Sequence, residues 1–231
     1  MPSKHGNKRE LQKGFTLLEL MVSVAVLSLV AAVVIDGLTK LVQRNRMETE
    51  KVDLTQESRQ FMDQIVSDIH QSGYPSARMF DLSSLVPPTT PAAINCALYV
   101  QISCGLVNVT PNSLQFEADV DGSGTVSEVF IQLNPLNGPC PCIIQRGTVT
   151  KAQFIAGNIP FYYTEVNNVV NTNIFLGYDN AGNNVPLVGA PVPNNLAAIE
   201  ITLNVQSPIA DANFLYPTIT MSTGAKIHNF N

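Results

Sequence analysis

A chain of 231 residues with a formal net charge of −5, 45% hydrophobic and 13% charged residues, is long enough for one sizeable domain plus an appendage. The charge is unevenly placed: Lys4, Lys8, Arg9 and Lys13 face Glu10 alone in the first fourteen residues, while only Arg78, Arg146, Lys151 and Lys226 are basic after residue 72. So cation-poor an acidic body argues against nucleic acid as the main partner, because phosphate binding needs clustered cations.

The basic leader, residues 1–14, runs into an apolar segment at 15–35 whose one charge is Glu19 and which holds no Pro or Gly. At about 1.5 Å per helical residue that segment reaches about 30 Å, the thickness of a bilayer core. The preceding cations predict a cytoplasmic N-terminus and an exported C-terminus. A carboxylate in hydrocarbon costs roughly 2.5–3.5 kcal/mol on the mildest insertion scale, so Glu19 marks a function. Asp36-Gly37 interrupts the run. An amphipathic helix then follows over 36–72, with Leu54, Phe61, Met62, Ile65, Val66 and Ile69 at spacings of three and four and Gly73 and Pro75 as terminators. The periodicity predicts one helix over 15–72, too long for a compact domain, so that its first half must project from the head.

Residues 73–231 predict an exported β-rich head. After an irregular connection at 76–95, alternation picks out strands at Leu114, Phe116 and Ala118, at Val129, Ile131 and Leu133, at Phe154-Ile155, at Phe161-Tyr-Tyr163 and at Ile199 to Val205. The Asn/Gly-rich stretches 167–173 and 177–184 read as separators, and the aromatics 161–163, 175, 178, 214 and 216 as core and strand-face residues. The fold class is α+β, a long N-terminal helix laid on an antiparallel sheet.

The four cysteines, Cys96, Cys104, Cys140 and Cys142, all lie beyond the apolar segment, and an even count in an exported region reads as disulfides. Cys96–Cys104 would close a local loop. Cys140-Pro-Cys142 is tight for a bond between its own members, which leaves cross-pairing to Cys96 and Cys104 open. Asp119-Val-Asp121-Gly-Ser123-Gly-Thr125 follows EF-hand order at its first seven positions, but position twelve is Phe130, and Glu128 stands two residues early. It reads either as a weak calcium loop built from Asp119, Asp121, Ser123, Thr125 and Glu128 or as a metal-free Asp/Gly turn; no cofactor is required. No Ser/His/Asp, Cys/His or paired-carboxylate arrangement stands out, so the chain reads as a non-enzyme.

The run Lys13-Gly14-Phe15-Thr16-Leu17-Leu18-Glu19-Leu20 resembles the processing site of type IV prepilins and type II secretion pseudopilins. The resemblance implies a type IV pilin-like fold, cleavage by prepilin peptidase between Gly14 and Phe15, N-methylation of Phe15, and Glu19 at the fifth position of the mature chain, where it pairs with a neighbouring subunit's terminal amine. His70-Gln-Ser-Gly73-Tyr74-Pro, the acidic turn at 119–124, Ile144-Gln-Arg146, and the segments 156–163 and 196–203 are similar at pattern level to W-type minor pilins and J-type minor pseudopilins. The implied function is a minor pilin of a type IV pilus, in the initiation or tip complex. Alternatives are a minor pseudopilin of a type II secretion system or a tip adhesin on the same anchor. The implied partners are other pilin or pseudopilin subunits, prepilin peptidase and, before assembly, the inner membrane.

Overall fold

The computed structural model describes residues 16–85, 87–90, 94–135, 138–211 and 215–227. Among these residues a single long helix, α1 (Leu17–Gln71), is followed by nine strands: β1 (Leu106–Thr110), β2 (Ser113–Ala118), β3 (Ser127–Asn134), β4 (Cys142–Thr150), β5 (Phe161–Val169), β6 (Phe175–Tyr178), β7 (Asn184–Val185), β8 (Ala198–Gln206) and β9 (Thr218–Lys226). A short helix, α2 (Lys151–Ile155), lies between β4 and β5. This is the expected α+β, type IV pilin-like layout.

The chain divides into two units, residues 1–46 and 47–231. In the first, every described residue from Thr16 to Arg46 is exposed. The helix is continuous through Asp36-Gly37, where Lys40 Nζ lies 2.7 Å from Asp36 Oδ2 one turn away; the interruption in hydropathy is not an interruption in the backbone.

In the second unit the remainder of α1 buries one stripe, Leu54, Ser58, Phe61, Met62, Ile65, Asp68 and Ile69. Its apolar members share a core with Leu114, Phe116, Val129, Ile131, Leu133, Ile144, Ile199, Ile201, Leu203 and Val205 from the sheet. All pairings are antiparallel, in the order β1-β2-β3-β4-β5-β8-β6-β7 with β9 on β8. The registers Phe116↔Val129 and Leu114↔Ile131 set buried side chains opposite one another, as a period of two on a one-sided core requires. The helix ends where expected: Gly73 has φ +84°, and its N–H donates to the Glu117 carbonyl at 3.0 Å, which joins the terminator to β2.

Three expectations are corrected. Phe154-Ile155 is not a strand but part of α2, because Thr150 Oγ1 accepts from Gln153 N–H at 3.3 Å as an N-cap and Gly157 (φ +89°) ends the turn. Phe154 then packs on Phe130, which also meets Tyr162; Gly147 lies between these strands, where a Cβ would come within 2.9 Å of the Tyr162 ring. The Asn/Gly-rich stretches are partly strand: 167–169 complete β5, and 177–178 and 184 belong to β6 and β7. Of the aromatics, Phe175 is core and Phe161, Tyr162, Tyr163 and Tyr178 are strand residues as expected, with Phe161 and Tyr163 on an uncovered face, whereas Tyr216 is exposed outside any strand. Phe214 lies outside the described residues.

The connection after α1 is three single 3₁₀ turns, Ala77–Met79, Leu82–Ser84 and Cys96–Leu98, gathered around a small second core of Ala77, Leu85, Tyr99 and Ile102.

Candidate functional site

The N-terminal half of α1 has the composition of a core and the exposure of a surface. Sixteen large apolar side chains between Leu17 and Val42 are uncovered among the described residues. This stretch of the helix is long and apolar enough to cross a membrane, and none of it is buried. Each such side chain gains about 1.5–3 kcal/mol when removed from water, so the set represents tens of kcal/mol that only lipid or other helices can supply.

Glu19 lies in the first turn of this helix. Its Oε2 accepts from the Thr16 N–H and from Thr16 Oγ1, both at 3.0 Å, and Thr16 Oγ1 accepts from the Glu19 N–H at 3.3 Å. This reciprocal pair is a capping box: Thr16 is the N-cap and Glu19 the third helical residue, and two amides with no intrahelical partner are satisfied at once. The carboxylate also lies where the positive end of the helix dipole favours it. The box was legible as Thr-x-x-Glu ahead of an apolar run; reading Glu19 only as an intermolecular group overlooked it. Gly14 and Phe15 lie outside the described residues.

Residues 10–35 match the family model for the prokaryotic N-terminal methylation motif. The chain carries a type IV prepilin-like methylation motif. The match takes in Gly14, Phe15 and Glu19 and stops at Ile35, where the apolar run ends. Motif and uncovered apolar helix together support a type IV pilin- or pseudopilin-like protein with a membrane anchor. No curated protein matches the chain, and no solved structure does.

The head places the remaining candidates as follows. The disulfides are Cys96–Cys104 and Cys140–Cys142. The second is the bond that its one-residue spacing disfavours. Its Cα atoms are 4.5 Å apart, and that separation is within the range a disulfide spans; the cross-pairing left open by the sequence is not the pairing found.

Glu128 is not at the acidic loop. It projects from β3 beside Glu117, its register partner on β2, and accepts from Gln115 Nε2 at 3.1 Å. Burial, and then the neighbouring Glu117, push its pKa up to about 8, so it is largely protonated at neutral pH. Glu117 is held by Lys151, whose Nζ donates to Glu117 Oε2 (2.6 Å) and to the carbonyls of Ile102 (2.7 Å) and Cys96 (2.9 Å). Lys151 is only 1% exposed. All three of its donors are satisfied, the condition under which a buried ammonium is tolerated. This network ties α2, β2 and the Cys96–Cys104 loop together and has the character of a structural clamp.

A second buried ion pair, Arg146 with Asp68, joins β4 to α1; Gln64 Nε2 donates to the other Asp68 oxygen at 2.8 Å. Burial pushes the Asp68 carboxyl up, and Arg146 and Gln64 pull it partly back. The sequence shows how few cations the head has but not what they bind. Two of the four, Arg146 and Lys151, neutralise buried carboxylates. Isolated charges separated by tens of residues gave no spacing signal that could have revealed it.

In the acidic loop, Asp119 Oδ2 accepts from Gly124 N–H (2.9 Å), Asp121 Oδ1 from Ser123 N–H (3.0 Å) and Ser123 Oγ from Thr125 N–H (3.3 Å). Hydrogen bonds from Ser123 hold Asp121 below the usual carboxylate range. Among the described residues no three His, Cys, Asp or Glu side chains come together as a metal cluster.

Proposed function

We propose that this chain is a minor pilin, a structural subunit of a type IV pilus with a place in filament initiation or at the tip. Prepilin peptidase cuts between Gly14 and Phe15 and methylates Phe15. The head, residues 73–231, is exported, and the 15–35 segment holds the subunit in the inner membrane until it joins other pilins. The observation that carries this reading is the uncovered apolar half of α1 bearing one capped carboxylate, under a methylation motif that spans the same residues.

The physical logic is exchange of cover. Lipid covers the apolar side chains before assembly and sister helices cover them afterwards. In the isolated subunit Glu19 is satisfied by its own cap. In the bundle it reaches a neighbour's terminal amine, an attraction strengthened by the low dielectric and lost if the register is wrong. The described residues of the head present no reactive constellation that this function leaves unused. The head's sparse cations, two of them committed to buried pairs, support a protein partner over nucleic acid.

The test is expression of the full chain in cells with and without prepilin peptidase, followed by mass spectrometry. The expected product begins with N-methylated Phe15 only when the peptidase is present. An intact leader in both strains, or an N-terminus elsewhere, contradicts the proposal. Recovery of the mature protein with a secretion complex, and not in pili, would reassign it to a pseudopilus.

A further inference from the structure

We propose that the β2–β3 loop, residues 119–125, is a calcium site. Its ligands are the carboxylates of Asp119 and Asp121, the Ser123 hydroxyl and the Thr125 carbonyl, completed by water. Glu128 has no part in it.

Asp119 carries the argument. It is 8% exposed, and its carboxylate turns into the loop, since Oδ2 accepts from Gly124 N–H across the turn. The other oxygen, Oδ1, is buried with no hydrogen-bond partner. A buried carboxylate oxygen left without a donor costs of the order of 1–3 kcal/mol or more. Native proteins satisfy such atoms, and an unsatisfied one asks for an absent partner. Neither Asp119 nor Asp121 forms a salt bridge among the described residues. Two carboxylates on one short loop, with no cationic side chain bonded to either, are donors that a cation can take.

The loop amides have already oriented the set. Gly124 N–H fixes Asp119, Ser123 N–H fixes Asp121, and Thr125 N–H fixes Ser123. Each takes one lone pair on its acceptor and leaves others for a ligand. Gly122 (φ +68°) and Gly124 (φ +82°) provide the left-handed turns that curl the backbone around this centre. The donors are all oxygen, which selects a hard cation, and the irregular, partly water-completed shell suits calcium better than magnesium, with its strict octahedron. The absence of a bidentate glutamate at position twelve, where Phe130 stands, places the affinity in the weak extracellular range.

The ion would act on the junction of helix and sheet. Asp119 N–H donates to the Tyr74 carbonyl at 2.9 Å, directly after the α1 terminator. Occupancy therefore stiffens the segment that seats α1 on β2. The binding chemistry does not depend on the pilin reading, so the two can fail separately.

The experiment is equilibrium dialysis of the full chain in detergent micelles against calcium alone, with magnesium as control, and thermal unfolding in parallel. One calcium per chain is expected, at a Kd of about 10⁻⁴–10⁻³ M, with unfolding raised by about 3–6 °C at saturating ion. Asp121→Asn, at an exposed position that the fold does not need, should weaken binding about tenfold or more and abolish the thermal shift; Asp119→Asn should do the same. Glu128→Gln should bind like the wild type. Absence of saturable binding up to about 10 mM calcium, or unchanged binding in Asp121→Asn, overturns the proposal.

Discussion

The two halves of α1 have similar appetites for apolar surroundings and opposite fates. Leu54, Phe61, Met62, Ile65 and Ile69 form a stripe that the sheet covers. Leu17 to Ile35 carry one charge, Glu19, and are otherwise almost wholly apolar on every side, and none of the described residues covers them. A stripe with a polar reverse side is a statement about the protein's own core; an apolar cylinder is a statement about a different solvent. The polar exceptions follow the same division. Asp68, in the stripe, finds Arg146 of its own chain, whereas Glu19, in the cylinder, bonds to Thr16 and to no cation among the described residues.

The sharpest way to break this comparison is to delete matched apolar groups from the two halves. Phe61→Ala should destabilise the head by about 3–5 kcal/mol, read by chemical denaturation of the full chain in micelles. Leu27→Ala should change head stability by less than about 0.5 kcal/mol. Equal effects would erase the distinction.

Next in size is Arg146→Ala, which strands Asp68 in the core and should cost about 3–5 kcal/mol at neutral pH. The sign of its pH dependence is set by the raised Asp68 carboxyl: without Arg146 the group rises further, the folded state favours the protonated acid, and the deficit should shrink as pH falls. The double variant Asp68→Asn/Arg146→Met should recover much of the loss.

A smaller effect is expected at Glu128. Its folded pKa of about 8 lies above the ordinary 4.5, so the folded chain holds a proton that the unfolded chain releases. This contribution is fully present below about pH 4.5 and declines as pH rises toward 8. Glu128→Gln should flatten the stability profile in that window, measured by thermal unfolding at stepped pH, with Glu117 and Lys151 left to hold the cluster. An unaltered profile would remove the assignment.

The smallest effect is at the helix start. Thr16→Ala removes half the capping box and should cost about 0.5–2 kcal/mol locally, seen as faster amide exchange at residues 17–20 with head stability unchanged.

How much of this was legible depended on where each signal resides. Helix α1 and strands β2, β3 and β8 were readable because one face of each is buried, so that burial writes a period into the sequence. Strand β9 was not: Thr218 to Lys226 is largely Thr, Ser and Gly, and most of its residues stay at least partly exposed. Helix α2 was misread because Phe154-Ile155 in isolation fits either period, and the Thr150 cap decides it. The methylation motif was legible because its residues stand next to one another in the sequence. The Lys151–Glu117 and Arg146–Asp68 pairs were not, since their members are brought together only by the fold. In the acidic loop the order of ligand types was visible, but the separation of Glu128 from it follows from strand register, which places that side chain opposite Glu117.

The most direct test of the account is Glu19→Val in a strain that assembles filaments, with processing and incorporation measured in the same cells, the latter in sheared filament fractions. The account predicts a mature N-terminus at Phe15 with incorporation reduced about tenfold or more, because the apolar helix still inserts but has lost the charge that sets its register. Incorporation of the Glu19→Val subunit at the wild-type level would contradict it.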